Sequence, residues 1–188
     1  MSRWEPDAQG RFRAAAMELF LERGYGETTV ADIAQRAGLT ARTFFRHFAD
    51  KREVLFHGAD RLRQTMIGAL HGAPANATPF EAVTAALDAS SEFFRDNREF
   101  ARRRSQVIAA NADLHERELI KLAKLSEALA EGLRLRGVTE SDARLAAEAG
   151  IAVFRVAFGH WVAVGEQRTF GEILHDSLGR LRALTSNR

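Results

Sequence analysis

The stretch from Thr29 to Phe48, TVADIAQRAGLTARTFFRHF, decides the fold of the N-terminal part of this 188-residue chain. Thr29, followed three residues later by Asp32, resembles a capping box that begins a helix. Gly38 suits the turn that ends this helix, because glycine adopts positive φ without steric cost. Thr40 can then cap a second short helix. Two short helices around a glycine turn predict a helix-turn-helix, in which the small Ala34 allows a close crossing.

The second of these helices has a polar outer side. Ile33, Leu39 and Phe44 are expected to form the apolar core that fixes the crossing angle of the two helices. Arg42 and Arg46 would project outward, and arginine can bond to base edges or to phosphate. In a DNA-binding helix-turn-helix the second helix lies in the major groove. The same spacing also occurs in an ordinary pair of packed helices, so spacing alone leaves both interpretations open.

The charge around this motif is basic, although the whole chain has a formal net charge of only +2. Between residues 36 and 52, five basic side chains stand against one acid, Asp50: they are Arg36, Arg42, Arg46, Lys51 and Arg52. A local basic patch can mark a phosphate-facing surface. An ordinary solvated face has the same composition, and charge alone favours that simpler interpretation.

Residues 20–55, FLERGYGETTVADIAQRAGLTARTFFRHFADKREVL, strongly resemble the N-terminal domain of TetR-family transcriptional regulators. The resemblance in detail covers about residues 12–55. It implies about nine helices, of which three form a DNA-binding head and the fourth links the head to a C-terminal body. It also implies a ligand pocket in the body, dimerisation through the last two helices, and release of DNA when a ligand changes the spacing of the two heads.

The resemblance also implies which side chains contact DNA. Thr43, His47 and Lys51 correspond to phosphate contacts. The family usually has tyrosine at the position of Phe45, which has no hydroxyl for a phosphate but can pack against a sugar or a thymine methyl. The candidate base-reading positions are Thr40, Ala41 and Arg42, with Arg42 first. The complete predicted DNA-binding set is Thr29, Thr40, Ala41, Arg42, Thr43, Phe45, His47 and Lys51.

Three of these residues have structural alternatives that the sequence leaves open. Thr40 can serve only as a helix cap. His47 can simply fill the space between the third and fourth helices. Lys51 can be a surface lysine that helps to neutralise Asp50.

The rest of the chain predicts more helices and an all-α fold class, with a three-helix head and a helical body for ligand binding and dimerisation. There is no proline from 80 to 188, and alanine, leucine, glutamate and arginine are abundant there. We expect domains at 1–50 and 51–188. Helices are predicted at 7–23, from 29, from 40, from 50 through 70, and at 79–96, 98–110, 113–136, 140–166 and 170–185.

Apolar residues of the body give two further predictions. A stripe that mixes small and large residues suits closely packed helices, so the predicted dimer interface is Gly150, Phe154, Ala157, Phe158, Trp161, Leu174, Leu178 and Leu181. The alternative is ordinary monomer core. The predicted ligand pocket is Met66, Phe93, Phe94, Arg103, Phe154 and Arg155, although any single apolar residue among them can simply be core. Arg155 would be a counter-charge for an anionic ligand, or it would form a salt bridge or lie on an exposed helix face.

Several function classes are excluded or unsupported. The chain has no cysteine, so it forms neither disulfides nor thiolate metal sites. With no run of 18 apolar residues and no apolar signal-peptide core, we expect a cytoplasmic protein without a membrane segment. Glu172 and His175 have the Glu-x-x-His spacing of di-iron bundles, but no second such motif exists. We therefore expect no metal, no cofactor and no enzymatic activity.

Together these observations predict a homodimeric transcriptional repressor that binds a palindromic operator in double-stranded DNA and is released by an unknown small molecule. Repression, rather than activation, follows from the family resemblance alone. The alternative function is a helical small-molecule-binding protein without specific DNA readout. A DNA-binding protein that responds to no ligand has the same sequence features.

Overall fold

The computed structural model describes residues 7–185, and all regular elements in that range are helices. They are α1 Ala8–Arg23, α2 Val30–Arg36, α3 Ala41–His47, α4 Glu53–Phe56, α5 Ala59–Gly72, α6 Pro79–Phe94, α7 Arg98–Ala109, α8 Ala112–Leu135, α9 Glu140–Trp161 and α10 Phe170–Thr185. The predicted all-α fold class is confirmed. Across residues 7–185, none of the helices has the length and apolar character needed to span a membrane.

The caps predicted around the glycine turn are present. The Thr29 hydroxyl accepts a hydrogen bond from the Asp32 amide at 3.1 Å, and the Asp32 carboxylate accepts one from the Thr29 amide at 2.9 Å. Gly38 has a φ of 65°, which ends α2. The Thr40 hydroxyl accepts from the Thr43 amide at 3.1 Å and so caps α3. These local hydrogen bonds fix the helix-turn-helix, because each satisfies a helix N-terminal amide that would otherwise lack a partner.

Of the described residues, the first compact unit comprises 7–57 together with Arg103–Glu116. Its core is aromatic: the ring of Phe12 from α1 lies 5.2 Å from the Phe44 ring and 6.2 Å from the Phe48 ring. Ile33 and Ala34 of α2 are buried with these rings. The small Ala34 therefore lies inside the head core, as its position in the motif predicts.

The predicted single helix from Asp50 through Leu70 is wrong. The chain instead forms α4 and α5, separated at Gly58, whose φ of 96° cannot continue a right-handed helix. An added Cβ at Gly58 would lie 3.1 Å from the Phe93 ring. The predicted cap, Asp50, is not the N-cap of α4, because Arg52 holds that position, but the Asp50 carboxylate accepts from the amides of Arg52 and Glu53 at the start of the helix. The described residues therefore contain ten helices where the resemblance implies about nine.

The second compact unit comprises Gly58–Arg102 and residues 117–185. In it, α6 packs against α5, α9 and α10. Fully buried apolar side chains form the core, among them Met66, Leu70, Leu87, Leu129 and Leu133. At one end of this core, five aromatic rings contact one another, those of Phe94, Phe154, Phe158, Trp161 and Phe170.

The sequence predicts that helix α9 ends at residue 166. In the structure it ends at Trp161. Arg102 on α7 donates from Nε to the carbonyl of Val162 at 3.1 Å, and Arg98 donates to the carbonyls of Glu166 and Arg168. The Arg98 guanidinium also lies over the Trp161 ring, 5.4 Å from its centre. Side chains from α7 thus satisfy the carbonyls after α9 and make the early end of the helix favourable.

Candidate nucleic-acid interface

Helix α3 has one buried side and one exposed side. Phe44 is fully buried in the head core, whereas Arg42, Phe45 and Arg46 are exposed. These three residues share a helix face because they are three and four positions apart. With Thr43 they line an open depression on the surface.

The two arginines of this face are available to a partner. Within residues 7–185, no hydrogen bond or ion pair engages the guanidinium group of Arg42 or Arg46. An unpaired guanidinium offers five N–H donors, which match the oxygens of phosphate and the acceptors of guanine. The exposed side of α3 is therefore a cationic surface without an internal counter-charge.

The other basic residues of the patch predicted from the sequence are already paired. Arg36 forms ion pairs with Glu18 at 3.1 Å and Glu22 at 2.7 Å, and these hydrogen bonds, that of Glu22 first, raise the pKa of Arg36. Arg52 pairs with Asp50 at 2.6 Å. For Arg36 and Arg52 the solvated-face interpretation is the better one, because their charges are neutralised locally.

Lys51 has a different role from the predicted phosphate contact. Its ammonium donates to the carbonyls of Tyr25 at 2.6 Å and Thr28 at 2.8 Å, and Gly26 O lies 3.4 Å away. It also lies 4.2 Å from the centre of the Tyr25 ring, and burial lowers the pKa of Lys51. Because an ammonium has three N–H donors, these carbonyls occupy all of them. Lys51 therefore anchors the turn between α1 and α2.

His47 is half-buried and matches the space-filling alternative. Its ring packs 6.4 Å from the Phe12 ring and 6.5 Å from the Phe48 ring, and Nε2 is buried without a hydrogen-bond partner among residues 7–185. The remaining predicted residues lie at helix starts. Thr29 is an exposed cap, Ala41 is the half-buried first residue of α3, and the Thr40 and Thr43 hydroxyls are 2.9 Å apart.

Arg11 is a positioning residue that sequence reasoning missed. From α1 it donates to the carbonyl of Ala37 at 2.5 Å and to that of Gly38 at 3.3 Å. It therefore ties α1 to the turn that sets the direction of α3. No sequence pattern could reveal this contact, because the acceptors are backbone atoms 26 and 27 residues away.

The residues predicted for a ligand pocket lie partly in a close-packed core and partly on the surface. Met66, Phe94 and Phe154 are buried in the close-packed core of the second unit, and the Phe94 ring contacts those of Phe93 and Phe154 at 5.1 and 5.9 Å. Arg155 is exposed on α9, which is the alternative that the sequence left open. Arg103 is also exposed and belongs to the first unit.

The predicted dimer stripe is mostly core of a single protomer. Gly150 faces α6, because an added Cβ would lie 2.3 Å from Val83 Cγ1. Phe154, Ala157, Trp161, Leu174 and Leu178 are buried, and Phe158 and Leu181 are half-buried. The small residues of this stripe therefore allow close contact of helices within one chain.

Helix α9 carries a second apolar stripe on its opposite face. Leu145 is 71% exposed and Val156 is 54% exposed, and the small residues Ala152 and Gly159 are exposed beside them. Their spacing of three, four and seven positions keeps them on one side of the helix. This face, which we call the outer α9 stripe, has the mixture of large and small residues that the sequence prediction assigned to the inner one.

Two family models match the chain. The model for bacterial regulatory proteins of the tetR family matches residues 12–57, and the model for the MftR C-terminal domain matches residues 77–185. The chain belongs to the TetR family. It is a DNA-binding transcriptional regulator and not an enzyme.

Individual relatives agree with this assignment. The transcriptional regulator TcmR of Streptomyces glaucescens is 41% identical over 81 residues, which are 43% of this chain and 36% of TcmR, so the match spans about a third of that relative. MftR of Mycobacterium tuberculosis, whose name assigns it to mycofactocin biosynthesis, is 27% identical over 78% of this chain and 76% of its own. Thermus thermophilus FadR, a repressor solved with lauroyl-CoA, shares the fold with a TM-score of 0.57, 24% identity and 96% coverage of both chains.

Proposed function

We propose that this protein is a cytoplasmic, homodimeric repressor that places α3 in the major groove of a palindromic operator and leaves the DNA when a small molecule binds. The observation that carries the proposal is the exposed face of α3, where Arg42 and Arg46 have no partner within residues 7–185. In a near-neutral chain, two unpaired cations on a recognition helix favour a phosphate-bearing partner.

The residues of this region have two proposed roles: some contact the DNA, and others hold α3 in position. Arg42, near the start of α3, is the first candidate for a base contact, and Arg46, one turn later, is a candidate for phosphate. Thr43, Thr40 and Thr29 supply hydroxyls at the helix starts, where amides and hydroxyls commonly bind phosphate. Lys51 and Arg11 hold these elements in place and do not contact DNA. The reading domain that the sequence predicts at 1–50 belongs to the first compact unit, which also contains residues up to His57 and Arg103–Glu116, and the second compact unit would serve ligand binding and dimerisation.

A second copy of the chain covers the outer α9 stripe. Ala152 and Gly159 allow two helices to approach closely, while Leu145 and Val156 supply apolar area. A symmetric dimer presents the same patch twice, and the two α3 helices then read half-sites about one DNA turn apart. This pairing is a proposal about the face of α9 that the protomer's own core leaves uncovered.

The decisive experiment is a fluorescence-anisotropy titration of DNA flanking the protein's own gene against unrelated DNA, at two salt concentrations. We expect a preference of at least ~10³-fold for one flanking fragment. An Arg42→Ala, Arg46→Ala double variant should lose this preference, whereas Arg36→Ala, whose guanidinium is paired, should keep it. Equal binding of every fragment would contradict the proposal and favour a small-molecule-binding protein without DNA readout.

Ligand response is tested on the same complex. Lauroyl-CoA is the first probe, since a protein of this fold was solved with it, and coenzyme A alone is the control. Release by lauroyl-CoA but not by coenzyme A would support an acyl ligand. If a library of small molecules releases no DNA, the protein is a repressor without an effector, and the ligand part of the proposal falls.

A further inference from the structure

Phe45 differs from the other phenylalanines of the head in its exposure. It is 58% exposed, whereas Phe44 and Phe48 on either side are buried. Its ring stands edge-on to the Phe44 ring, with centroids 5.6 Å apart and planes at 86°. Phe44 is buried in the core, so this edge-to-face contact favours a position of the Phe45 ring on the exposed side of α3.

The surroundings of Phe45 indicate what kind of partner the ring meets. Arg42 is three positions before it and Arg46 one position after it, and with Thr43 the four residues line one open depression. A partner that fits this depression must therefore present an apolar group to Phe45 and negative charge to the two arginines. Duplex DNA combines these features, because thymine methyl groups lie in the major groove between two phosphate backbones.

The major groove displays one apolar group on its base edges. Guanine, adenine and cytosine present hydrogen-bond donors and acceptors there, while thymine adds its 5-methyl group. A phenyl ring has no hydrogen-bonding group, so placing it against a donor or acceptor would leave that group without a partner. Contact with a methyl group removes apolar area from water on both sides.

We propose that Phe45 is a specificity-determining residue that packs on a thymine 5-methyl group in each operator half-site. The inference rests on the proposed function, since it requires α3 to lie in the major groove. In this proposal the residues that line the depression on α3 have two different roles. The arginines bind phosphate or guanine, and Phe45 reads thymine by apolar contact.

The expected size of the effect follows from the area of a methyl group. Burying one such group changes an equilibrium constant by roughly four-fold. Because a symmetric dimer makes the contact twice, removing both methyl groups should weaken operator binding by roughly fifteen-fold. A contact of Phe45 with deoxyribose would instead be insensitive to the base.

The test replaces thymine by deoxyuridine, which lacks only the methyl group, at each symmetric pair of positions in an operator bound by the full-length protein. We expect one pair at which the dissociation constant rises about fifteen-fold. 5-Bromodeoxyuridine at that pair should restore binding, because bromine fills nearly the same space as the methyl group. Phe45→Ala should bind the thymine and deoxyuridine operators equally.

The controls separate this inference from the proposed function. Arg42→Ala should bind the operator more weakly yet keep the ratio between thymine and deoxyuridine. Phe45 is exposed, so Phe45→Ala should melt at the wild-type temperature. If the wild-type protein prefers an operator but no substitution of thymine matters, or if Phe45→Ala keeps the ratio, the inference is wrong and the proposed function stands. If the protein prefers no operator, both the proposed function and this inference are wrong.

Discussion

Arg36 and Arg42 lie six residues apart in one basic stretch, yet only Arg42 is free to bind a partner. Arg36 is held by Glu18 and Glu22, whereas the Arg42 guanidinium meets no counter-charge within residues 7–185. A count of basic residues in the sequence does not distinguish these two arginines. The difference arises because the two acids lie on α1, which folds back beside α2.

Replacing Arg42 by alanine should weaken operator binding by about 1–3 kcal/mol and relax the choice of base at one position. The measurement is anisotropy against a set of single-base operator variants. Arg36→Ala is the matched control and should leave both affinity and base preference unchanged. An equal loss on all sequences, with the salt slope reduced by about one, would show that Arg42 binds phosphate and not a base.

We expect the stability of the head to depend on pH through His57. Burial, and then the nearby charges of Arg13 and His47, lower the pKa of His57 below its usual value of 6.5, and the Phe48 ring packs 5.5 Å away. The unfolded chain therefore binds a proton at a higher pH than the folded head does. Neutral His57 keeps its stabilising effect above about pH 6.5, and the effect is lost as the pH falls through the lower folded value.

The variant His57→Gln removes this titration, so its melting temperature should fall less than that of the wild type between pH 7.5 and pH 5.5. Thermal melts followed by circular dichroism measure the difference. His115→Gln, at an exposed position of α8, is the control and should keep the wild-type pH dependence. Parallel curves for wild type and His57→Gln would exclude His57 as the titrating group.

Residue roles were predictable from the sequence where they depend on local spacing. The outward direction of Arg42 and Arg46 follows from the helix period, and the capping roles of Thr29 and Thr40 follow from hydrogen bonds that span three residues. The role of Lys51 was not predictable, since its acceptors are ordinary carbonyls 23 to 26 residues away.

At the scale of elements, the turn between α1 and α2 depends on Lys51. Lys51→Met keeps much of the side-chain volume but removes the hydrogen bonds to Tyr25 O and Thr28 O. We expect the head to lose on the order of 1.5–3 kcal/mol of stability. The salt slope of DNA binding should not change, because no phosphate contact is lost. A slope lowered by about one would restore the phosphate role that the family resemblance implies.

The contact between α6 and α9 depends on the absence of a side chain at Gly150. Gly150→Ala places a Cβ 2.3 Å from Val83 Cγ1, so the free energy of unfolding should fall by about 1–3 kcal/mol. Adding Val83→Ala removes the clash, and the double variant should be more stable than the sum of the two single changes predicts. Urea unfolding of all three variants measures this coupling. Strict additivity would contradict the contact.

The boundaries of elements were predictable where the stop is encoded locally. Gly38 ends α2 as expected, and α10 covers the predicted residues 170–185. The break between α4 and α5 was missed because Gly58 takes positive φ against the Phe93 ring, a partner 35 residues away. The end of α9 was missed for a similar reason, since Arg98 and Arg102 come from another helix.

At the scale of the whole molecule, the sequence indicated that α9 packs against other helices but not which of its faces does so. The inner stripe around Gly150 and Phe154 and the outer stripe around Leu145 and Val156 are both apolar and both follow the helix period. A helix that is apolar on two faces is covered on both. In one protomer only the inner face is covered, so the outer face is where we propose that a second copy packs.

Replacing Val156 by aspartate should therefore separate the dimer, because a carboxylate would be buried next to its symmetry mate without a partner. Sedimentation velocity at micromolar concentration should show a monomer for Val156→Asp and a dimer for the wild type. Val164→Asp is the matched control, since Val164 is 88% exposed but lies in the turn after α9 and not in the stripe.

The same variants test how the assembly serves DNA binding. A monomer holds one half-site at a time and loses the high effective concentration that the first contact gives to the second. Val156→Asp should thus bind a full palindrome no more tightly than a single half-site, while Val164→Asp keeps the preference for the palindrome. If Val156→Asp remains a dimer that prefers the palindrome, the subunits meet through a face other than the outer α9 stripe. The exposed face of α3 would then still read the operator, because that face is complete within one protomer.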